Sequence, residues 1–253
     1  MPDLTTSIAH SDASTITIRE KSLIDDLIGK VSYTEMVYFL TVHRMPTPTE
    51  TRVLDACLVT LMEHGFTPSS LISRLMIDSV PGEVQVAMAA GITAVGSVFV
   101  GTMEGCARIL QQGVAQGGDL EAYCQRVVDE HRSEKRPLPG FGHPFHKPDD
   151  PRSPHLLAFA REVGVGGQYI DLLERLSAVF DRRLGKHMTI NATGAIGALL
   201  LEIDIPIEIL RGVAAVSRAG GLLGHIREEQ KRHSARRIWK LTEENIPYAP
   251  ENG

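Results

Sequence analysis

The distribution of apolar positions is helical along nearly the whole chain. Apolar residues recur every three or four positions, most clearly over residues 119–135, and the strict alternation typical of strands is scarce. Proline and glycine separate the periodic runs. The pattern predicts helices at residues 22–27, 34–42, 50–62, 68–77, 84–103, 119–135, 153–163, 169–180, 192–201, 206–220 and 221–240. The predicted fold class is therefore all-α.

Two segments test this interpretation. Residues 84–103 carry no charge and are long enough to span a bilayer. They include Gln85, Gly91 and Gly96, so a helix buried on all sides at the centre of a helical protein explains them better. Residues 1–14 are polar and lack a basic region followed by an apolar run, which predicts a short disordered tail and no signal peptide.

Composition narrows the class of protein. The net charge of −5 and hydrophobic content of 43% are ordinary for a soluble globular protein and indicate no nucleic-acid or membrane partner. Cys57, Cys106 and Cys124 lack metal-ligand spacing and are interpreted as buried free thiols in a reducing cytoplasm. The basic cluster at 227–240 is interleaved with acids, as in a solvated helix face, although a local phosphate or carboxylate contact also fits.

The most informative segment is a loop, Pro139-Gly-Phe-Gly-His-Pro-Phe-His-Lys-Pro-Asp-Asp-Pro-Arg152. Its glycines allow a backbone to approach a ligand closely, and its prolines stiffen the chain. His143 supplies an acid or base, and Arg152 supplies a fork for a carboxylate. The loop therefore predicts a site for a carboxylate-bearing substrate, although Arg152 paired with Asp149 or Asp150 as a structural clamp is the alternative.

Two further motifs contain candidate residues. His64 lies in Glu-His-Gly at a predicted helix end, where a histidine often only satisfies terminal carbonyls. Arg218 precedes Ala-Gly-Gly-Leu-Leu-Gly, small residues that permit close approach of a ligand or backbone.

The order and spacing of these motifs resemble the citrate synthase superfamily over roughly residues 16–239. The Gly-Phe-Gly-His and Asp-Pro-Arg elements, the entry helices and Ser217-Arg-Ala-Gly-Gly carry the resemblance. The length and the Glu-His-Gly motif are most similar to short citryl-CoA lyases and to the C-terminal lyase module of ATP citrate lyase.

The resemblance implies roles for individual residues. His64 and His143 match the histidines that hold and polarise the oxo-acid half of the substrate, and the arginines match carboxylate-binding positions. Arg236 matches an arginine that crosses from a partner subunit. The predicted substrate-binding residues are Arg152, Arg218 and Arg236. The predicted coenzyme A loop consists of Pro139, Gly140, Phe141 and Gly142.

The chain departs from the family pattern at two positions. Val100 stands where citrate synthases have a catalytic histidine, which lyase relatives also lack. Thr193, in Asn191-Ala-Thr-Gly194, replaces the carboxylate that handles the α-proton of the acetyl group. A threonine hydroxyl can relay a proton but is not a base, so Thr193 is the third predicted catalytic position with altered chemistry. His146 is a possible substitute or a surface-loop histidine.

The resemblance implies an all-α, citrate-synthase-like, two-domain homodimer. The large domain is predicted at residues 15–106 and 191–253, and the small domain at 107–190. The expected activity is citryl-CoA lyase-like cleavage or formation of a carbon–carbon bond in a carboxylate-bearing β-hydroxyacyl-CoA. The CoA thioester and an oxo-acid are substrates, with no tightly bound cofactor and no metal. The alternatives are decarboxylation or hydrolysis of a related thioester, and non-catalytic binding of CoA or a polycarboxylate.

Overall fold

A computed structural model describes residues 4–98 and 100–250. Its helices are α1 (Tyr33–Val42), α2 (Pro48–Met62), α3 (Pro68–Ser79), α4 (Val84–Thr93), α5 (Gly101–Gln116), α6 (Leu120–Ser133), α7 (Arg152–Glu162), α8 (Gln168–Leu184), α9 (Ala192–Glu202), α10 (Leu210–Arg232) and α11 (Ala235–Asn245). A π-helical turn, Leu23–Leu27, and a 3₁₀ turn, Ile207–Ile209, complete the helical elements of the described residues. The prediction of an all-α fold is confirmed.

Helix ends follow local capping signals. Ser32 caps α1 in a reciprocal capping box with Glu35, Asp119 caps α6, and Asn191 caps α9. The helix α8 ends at Gly185, whose φ of 65° lies in the left-handed region. Because these signals are local, seven predicted helices are confirmed to within four residues at each end: 34–42, 50–62, 68–77, 119–135, 153–163, 169–180 and 192–201.

The N-terminal segment contains three short strands, β1 (Ala9–Ser11), β2 (Ile16–Ile18) and β3 (Lys21–Ser22), paired antiparallel in chain order. Ala9 faces Ile18 and Ser11 faces Ile16. Because β1 lies within residues 1–14, the prediction of a disordered tail there is wrong for residues 9–11. Some predictions extend outside the described residues. They cover residues 1–3 of that tail, Phe99 of the predicted helix 84–103, and residues 251–253 of the predicted large domain.

The predicted single helix at 84–103 is wrong. The helix α4 ends at Thr93, and α5 begins at Gly101 after an irregular connection. Gly96 and Ser97 in the connection are poor helix formers, which explains the break. The segment is not buried on all sides within the chain, because Val86 is 39% and Val98 is 78% exposed. No helix in the described ranges combines the length and apolar content that crossing a membrane requires.

The predicted boundary at residues 220–221 is also wrong, because α10 continues through both glycines and ends at Arg232. A Cβ on Gly221 would lie 2.1 Å from the carbonyl oxygen of Met62. The two glycines therefore serve close packing of α10 on the end of α2, and the helix is interrupted later, at His233, where φ is 47°.

The chain divides into two compact units. Unit 1 comprises the residues up to Cys57 together with Met103–Leu210, and unit 2 comprises Leu58–Thr102 with the residues from Arg211 onward. These borders differ from those predicted for the large and small domains. The predicted division into 15–106 with 191–253 and 107–190 stays a prediction.

The core of unit 1 is built around α8 and α9. The helix α9 packs against α7 and α8, and it buries nearly every side chain along its length. A Cβ on Gly197 would lie 2.9 Å from the carbonyl oxygen of Met103, so α5 also approaches α9 closely. The large, fully buried side chains of α8 and α9 are those of Ile170, Leu172, Leu173, Leu176, Ile196, Leu199 and Leu200. Each contributes about 1.5–3 kcal/mol of burial free energy, so the first turn of α9 is anchored firmly.

In unit 2, α3 packs against α4 and α11. Ser73 Oγ donates to the carbonyl oxygen of Ala87 over 2.8 Å, and Ile77, Ala87 and Ile226 form a small apolar cluster.

The three cysteines are buried and free, as predicted. Burial raises the pKa of Cys106 to about 12, so its thiol remains a neutral packing group at physiological pH.

Candidate active site

The predicted CoA loop lies on the N-terminal end of α9. Phe141 forms a bridge with Ile190, and the Asn191 amide donates to the carbonyl oxygen of Gly140 over 3.0 Å. Gly140 has a φ of 87°, and a Cβ there would lie 2.6 Å from Cys106 Sγ. A Cβ on Gly194 would lie 2.5 Å from the carbonyl oxygen of Gly140. Both positions therefore require glycine, and the contact sets the loop directly against the helix end.

His143 follows this turn and is held by its own loop. Its Nδ1 accepts the amides of Phe145, over 3.2 Å, and His146, over 3.0 Å. Because Nδ1 is the acceptor, the neutral ring carries its proton on Nε2. The rings of His143 and His146 stack with centroids 4.3 Å apart. The loop thus determines both the orientation and the tautomer of His143.

Arg152 begins α7 and brings a second donor to the same place. Its Nη2 lies 3.5 Å from His143 Nε2. Neither a protonated Nε2 nor a guanidinium can accept a hydrogen bond. Two donors at this separation suit one acceptor oxygen that receives a hydrogen bond from each.

Asp150 fixes the guanidinium of Arg152. The carboxylate of Asp150 is fully buried and accepts from Arg152 Nε over 2.9 Å and from Nη2 over 2.8 Å. It also accepts the amide of Ala192 over 2.9 Å, and so joins the histidine loop to α9. Burial favours a raised pKa for Asp150, but the hydrogen bonds from Arg152 and Ala192 outweigh it and lower the pKa to about 2. The clamp that the sequence offered as an alternative is therefore present, and binding of substrate by Arg152 stays a prediction.

Thr193 is tied to the same framework. Its hydroxyl donates to Asn191 Oδ1 over 2.7 Å, and that oxygen also accepts the amide of Gly194 over 3.0 Å. Asn191 Nδ2 donates to the carbonyl oxygen of Gly142 over 2.9 Å. In this rotamer the Thr193 proton is directed to Asn191. The first turn of α9 therefore presents a hydroxyl oxygen at residue 193, and a catalytic role for Thr193 stays a prediction.

A histidine–carboxylate cluster secures the far side of the loop. His187 Nε2 lies 2.8 Å from Asp149 Oδ1, and His187 Nδ1 lies 2.6 Å from Asp181 Oδ2. Hydrogen bonds to Asp149 and Asp181 raise the pKa of His187. These side chains are about half exposed, so the cluster contributes less to stability than the buried Asp150 pair.

A basic cavity of about 290 Å³ opens beside Phe141. Its cationic side chains come from the end of α6 and from the segment after α8, and its apolar surface includes Phe180, which meets Phe141 edge to face. The basic residues are His131, Arg132, Lys135, Arg136 and Lys186. The apolar residues are Leu138, Phe141, Phe180, Leu184 and Met188. This combination suits a flat ring that carries phosphate groups. The sequence analysis missed the cavity because its two basic segments lie far apart along the chain.

The remaining predicted site residues belong to unit 2. His64 is exposed and lies beyond the end of α2. Arg218 is partly buried on α10. Arg236 is the second residue of α11, is 79% exposed, and places its Nε 3.4 Å from Asp78 Oδ2. Unit 1 thus brings together His143, Arg152, Thr193 and the loop Pro139–Gly142, whereas the other three residues lie in unit 2.

Unit 2 also contains a charged network that the sequence analysis missed. Glu63 Oε1 accepts the amides of His64 and Gly65, and Glu63 Oε2 lies 3.0 Å from His225 Nε2. His225 Nδ1 accepts from Arg74 Nε over 2.9 Å. Burial favours a raised pKa for Glu63, but the contact with His225 and the two amides lower it.

The network continues from the buried guanidinium of Arg74 to two carboxylates, one buried and one partly exposed. Arg74 is 3% exposed and pairs with Glu229 over 3.0 Å and with Glu228. Glu229 also accepts the amide of Ala235 over 2.7 Å, at the start of α11. The sequence analysis interpreted residues 227–240 as a solvated helix face, which is wrong for Glu229, because its side chain is 1% exposed and pairs with Arg74.

The helical fold, the glycine-supported histidine loop and the adjoining basic cavity together define a protein of the citrate-synthase-like class. The family model for the C-terminal domain of citrate synthase matches residues 13–241, so the chain belongs to the citrate synthase family.

Solved structures support the predicted relationship. The structure of citryl-CoA lyase from Hydrogenobacter thermophilus is similar with a TM-score of 0.88 and 29% identity, over 99% of this chain and 96% of that one. ATP citrate lyase from Methanothrix soehngenii, in complex with citrate and coenzyme A, matches with a TM-score of 0.83 and 19% identity, over 98% of this chain and 42% of that one. Because the second structure is only 19% identical in sequence, its similarity shows the fold alone.

Among curated proteins, citrate synthase from Synechocystis sp. is 23% identical over 230 residues, which cover 87% of this chain and 56% of the relative. The chain spans about half the length of the first curated relatives that it matches. The prediction of the citrate synthase superfamily and of its helical fold is confirmed.

Proposed function

We propose that the chain is a citryl-CoA lyase-type enzyme that cleaves or forms a carbon–carbon bond in a carboxylate-bearing β-hydroxyacyl-CoA. The observation that carries the proposal is the pair of donors, His143 Nε2 and Arg152 Nη2, 3.5 Å apart and fixed by the loop and Asp150. The citryl-CoA lyase of Hydrogenobacter thermophilus, similar over nearly the full length of both chains, supports the same class of reaction.

The carboxylate-bearing half of the substrate fits these donors. Cleavage removes the proton of the β-hydroxyl group, breaks the adjacent carbon–carbon bond, and yields an oxo-acid and the enolate of an acyl-CoA. A proton then adds to the enolate carbon. His143 donates to the oxygen that becomes the carbonyl, and Arg152 holds the neighbouring negative charge. His64 and Arg218 are assigned to the same half by the family resemblance.

The thioester half fits the basic cavity. The adenine and phosphates of CoA match a cavity whose lining combines the apolar rings of Phe141 and Phe180 with cations such as Arg132 and Lys186. CoA is a substrate in this proposal, with no tightly bound cofactor.

The group that exchanges a proton with the α-carbon is the altered element: it delivers the proton to the enolate carbon in cleavage and removes it in condensation. Asp150 is a poor substitute, because a carboxylate whose pKa is about 2 binds protons weakly at neutral pH. His146, stacked on His143, is the candidate in this loop. Loss of a positioned acid or base typically costs ~10²–10⁴ in rate, so slow cleavage of citryl-CoA is expected.

The test is to incubate the protein with citryl-CoA and to follow oxaloacetate and acetyl-CoA. Thr193→Asp restores a carboxylate and should accelerate cleavage at least about tenfold, or about 1.4 kcal/mol of barrier. Thr193→Asn is the matched control, because it changes shape similarly without adding a base. A folded Thr193→Asp variant with no gain would contradict the simple lyase assignment.

The second candidate is altered thioester chemistry or binding without turnover. It is favoured by the hydrogen bond from Thr193 to Asn191, which commits the hydroxyl to the protein. Tight binding of citryl-CoA without products would support a binding protein. Release of free CoA from citryl-CoA with no acetyl-CoA formed would support hydrolysis.

A homodimer is part of the proposal. The apolar side chains on and beside α4 that remain exposed in the single chain, including Val86 and Val98, support a surface covered by a second copy. In that assembly Arg236 is contributed to the site of the partner subunit.

A further inference from the structure

We propose that His225 is a positioning residue that fixes the backbone of His64 through Glu63. All of the contacts involved lie within unit 2. Its catalytic consequence rests on the proposed function, in which His64 contacts the substrate.

The first step is the state of His225. Arg74 Nε donates to its Nδ1, so the neutral ring carries its proton on Nε2. That nitrogen is 3.0 Å from Glu63 Oε2. Arg74 therefore selects the tautomer that carries its proton on the nitrogen nearest to the Glu63 carboxylate, a close charge contact whose N–H···O angle lies outside hydrogen-bond geometry.

Arg74, which anchors His225, is itself held rigidly. Arg74 is held by Glu229 and Glu228 and is 3% exposed, and its guanidinium lies 5.0 Å from the Phe66 ring centroid. The side chain of His225 is only 10% exposed. His225 is thus held at Nδ1 by a buried, charge-paired guanidinium and lies beside the Phe66 ring, whose centroid is 6.1 Å away, while its Nε2 is close to Glu63.

Glu63 connects this anchor to the backbone of His64. The Glu63 side chain is 45% exposed, so packing alone leaves it mobile. Its Oε1 accepts the amides of His64 and Gly65, where φ of Gly65 is 72°. A Cβ on Gly221 would lie 3.0 Å from Glu63 Oε2, so only a glycine on α10 leaves room for this carboxylate. Removing His225 should release Glu63 and relax the turn that contains His64.

The test uses His225→Gln, which removes the ring while keeping a polar side chain. His233→Gln is the matched control, since His233 is an exposed histidine just beyond the end of α10. In ligand-free protein labelled with ¹⁵N-histidine, the imidazole signals of His64, assigned by their loss in His64→Ala, should move or broaden in His225→Gln and stay in place in His233→Gln.

Kinetics provide the second readout. A displacement of a catalytic group by about 1 Å can cost ~10²-fold, so kcat for citryl-CoA should fall by about 10- to 100-fold in His225→Gln. The KM should remain within about twofold, because the variant leaves the substrate-binding arginines in place. If His225 only stabilised the fold, the variant would give less folded enzyme, but kcat would not fall at an unchanged KM.

The outcomes separate the two proposals. If wild-type protein does not cleave citryl-CoA, the proposed function fails, and movement of the His64 signals still supports the positioning role. The positioning role is overturned if the His64 signals do not move in folded His225→Gln. It is also overturned if wild-type protein is active and kcat of the variant is unchanged. If His225→Gln does not fold, Glu63→Gln, at a partly exposed loop residue, provides the same readouts.

Discussion

The buried carboxylate of Asp150 offers the sharpest test of how the histidine loop is held. Asp150→Asn keeps the shape of the side chain and removes its charge. Each oxygen of the carboxylate accepts two hydrogen bonds, so two donors would face the new NH₂ group in either orientation of the amide: the backbone N–H and Nε of Arg152, or Arg152 Nη2 and the Ala192 amide. The variant should therefore be less stable and should hold Arg152 and the first turn of α9 less firmly.

Two estimates give the size of the effect. Removing one partner of a buried ion pair costs about 3–5 kcal/mol, and the 26% exposure of Arg152 places this pair near the lower end. The lowering of the Asp150 pKa from 3.8 to about 2 corresponds to about 2 kcal/mol. We expect the free energy of unfolding to fall by about 2–3 kcal/mol at neutral pH.

The effect has a defined pH dependence. A carboxylate with a lowered pKa stabilises the folded state above its unfolded value of 3.8, and this contribution is lost as the pH falls through about 2. The difference in stability between wild type and Asp150→Asn should thus be full at neutral pH and shrink below about pH 4.

Urea unfolding across this pH range measures the difference, with Asp149→Asn as the matched control. Asp149 is adjacent in sequence but 52% exposed, so its pair with His187 should contribute about 1 kcal/mol or less. An Asp150→Asn variant no less stable than Asp149→Asn, or a difference independent of pH, would refute the reasoning.

Three further predictions concern packing, chemistry and assembly. Urea titrations should show that Gly194→Ala lowers the free energy of unfolding by about 1–3 kcal/mol, because its Cβ would meet the carbonyl of Gly140. The control Gly212→Ala, whose Cβ would have nothing within 4 Å, should raise the free energy of unfolding by about 0.5–1 kcal/mol. His143→Ala should lower kcat for citryl-CoA by ~10²–10⁴ while the fold is kept, and wild-type steady-state kinetics would remove His143 from the site. Light scattering should give twice the mass of the chain, and a stable monomer at micromolar concentration would withdraw Arg236 as a contribution from a partner.

Local signals in the sequence account for most of the fold. Helices such as α1 and α6 were predicted closely because Ser32 and Asp119 cap them with side chains only two or three residues away. The failures involve longer-range causes. Gly220-Gly221 suggests a helix boundary, but the glycines lie inside α10 because Met62 approaches them.

The candidate site shows the same contrast. The loop motif predicted His143 and Arg152 as neighbours, and the structure places their nitrogen atoms 3.5 Å apart. The motif left open whether Arg152 pairs with an aspartate, and its two side-chain hydrogen bonds to Asp150 show that it does, while binding of substrate by Arg152 stays a prediction. The basic cavity was not predicted, because periodicity says which face of a helix is polar and not which distant segment it meets.

The sequence by itself determined the helical class, the family and the loop that carries His143. These properties depend on periodicity, capping and motif order, which are encoded within short stretches of chain. Only the tertiary structure decided that Asp150 joins the loop to α9, that Arg74 and His225 connect with Glu63, and that cations from two segments share one cavity. Those contacts join residues far apart in sequence, and their geometry is set by the close packing of helices across glycines.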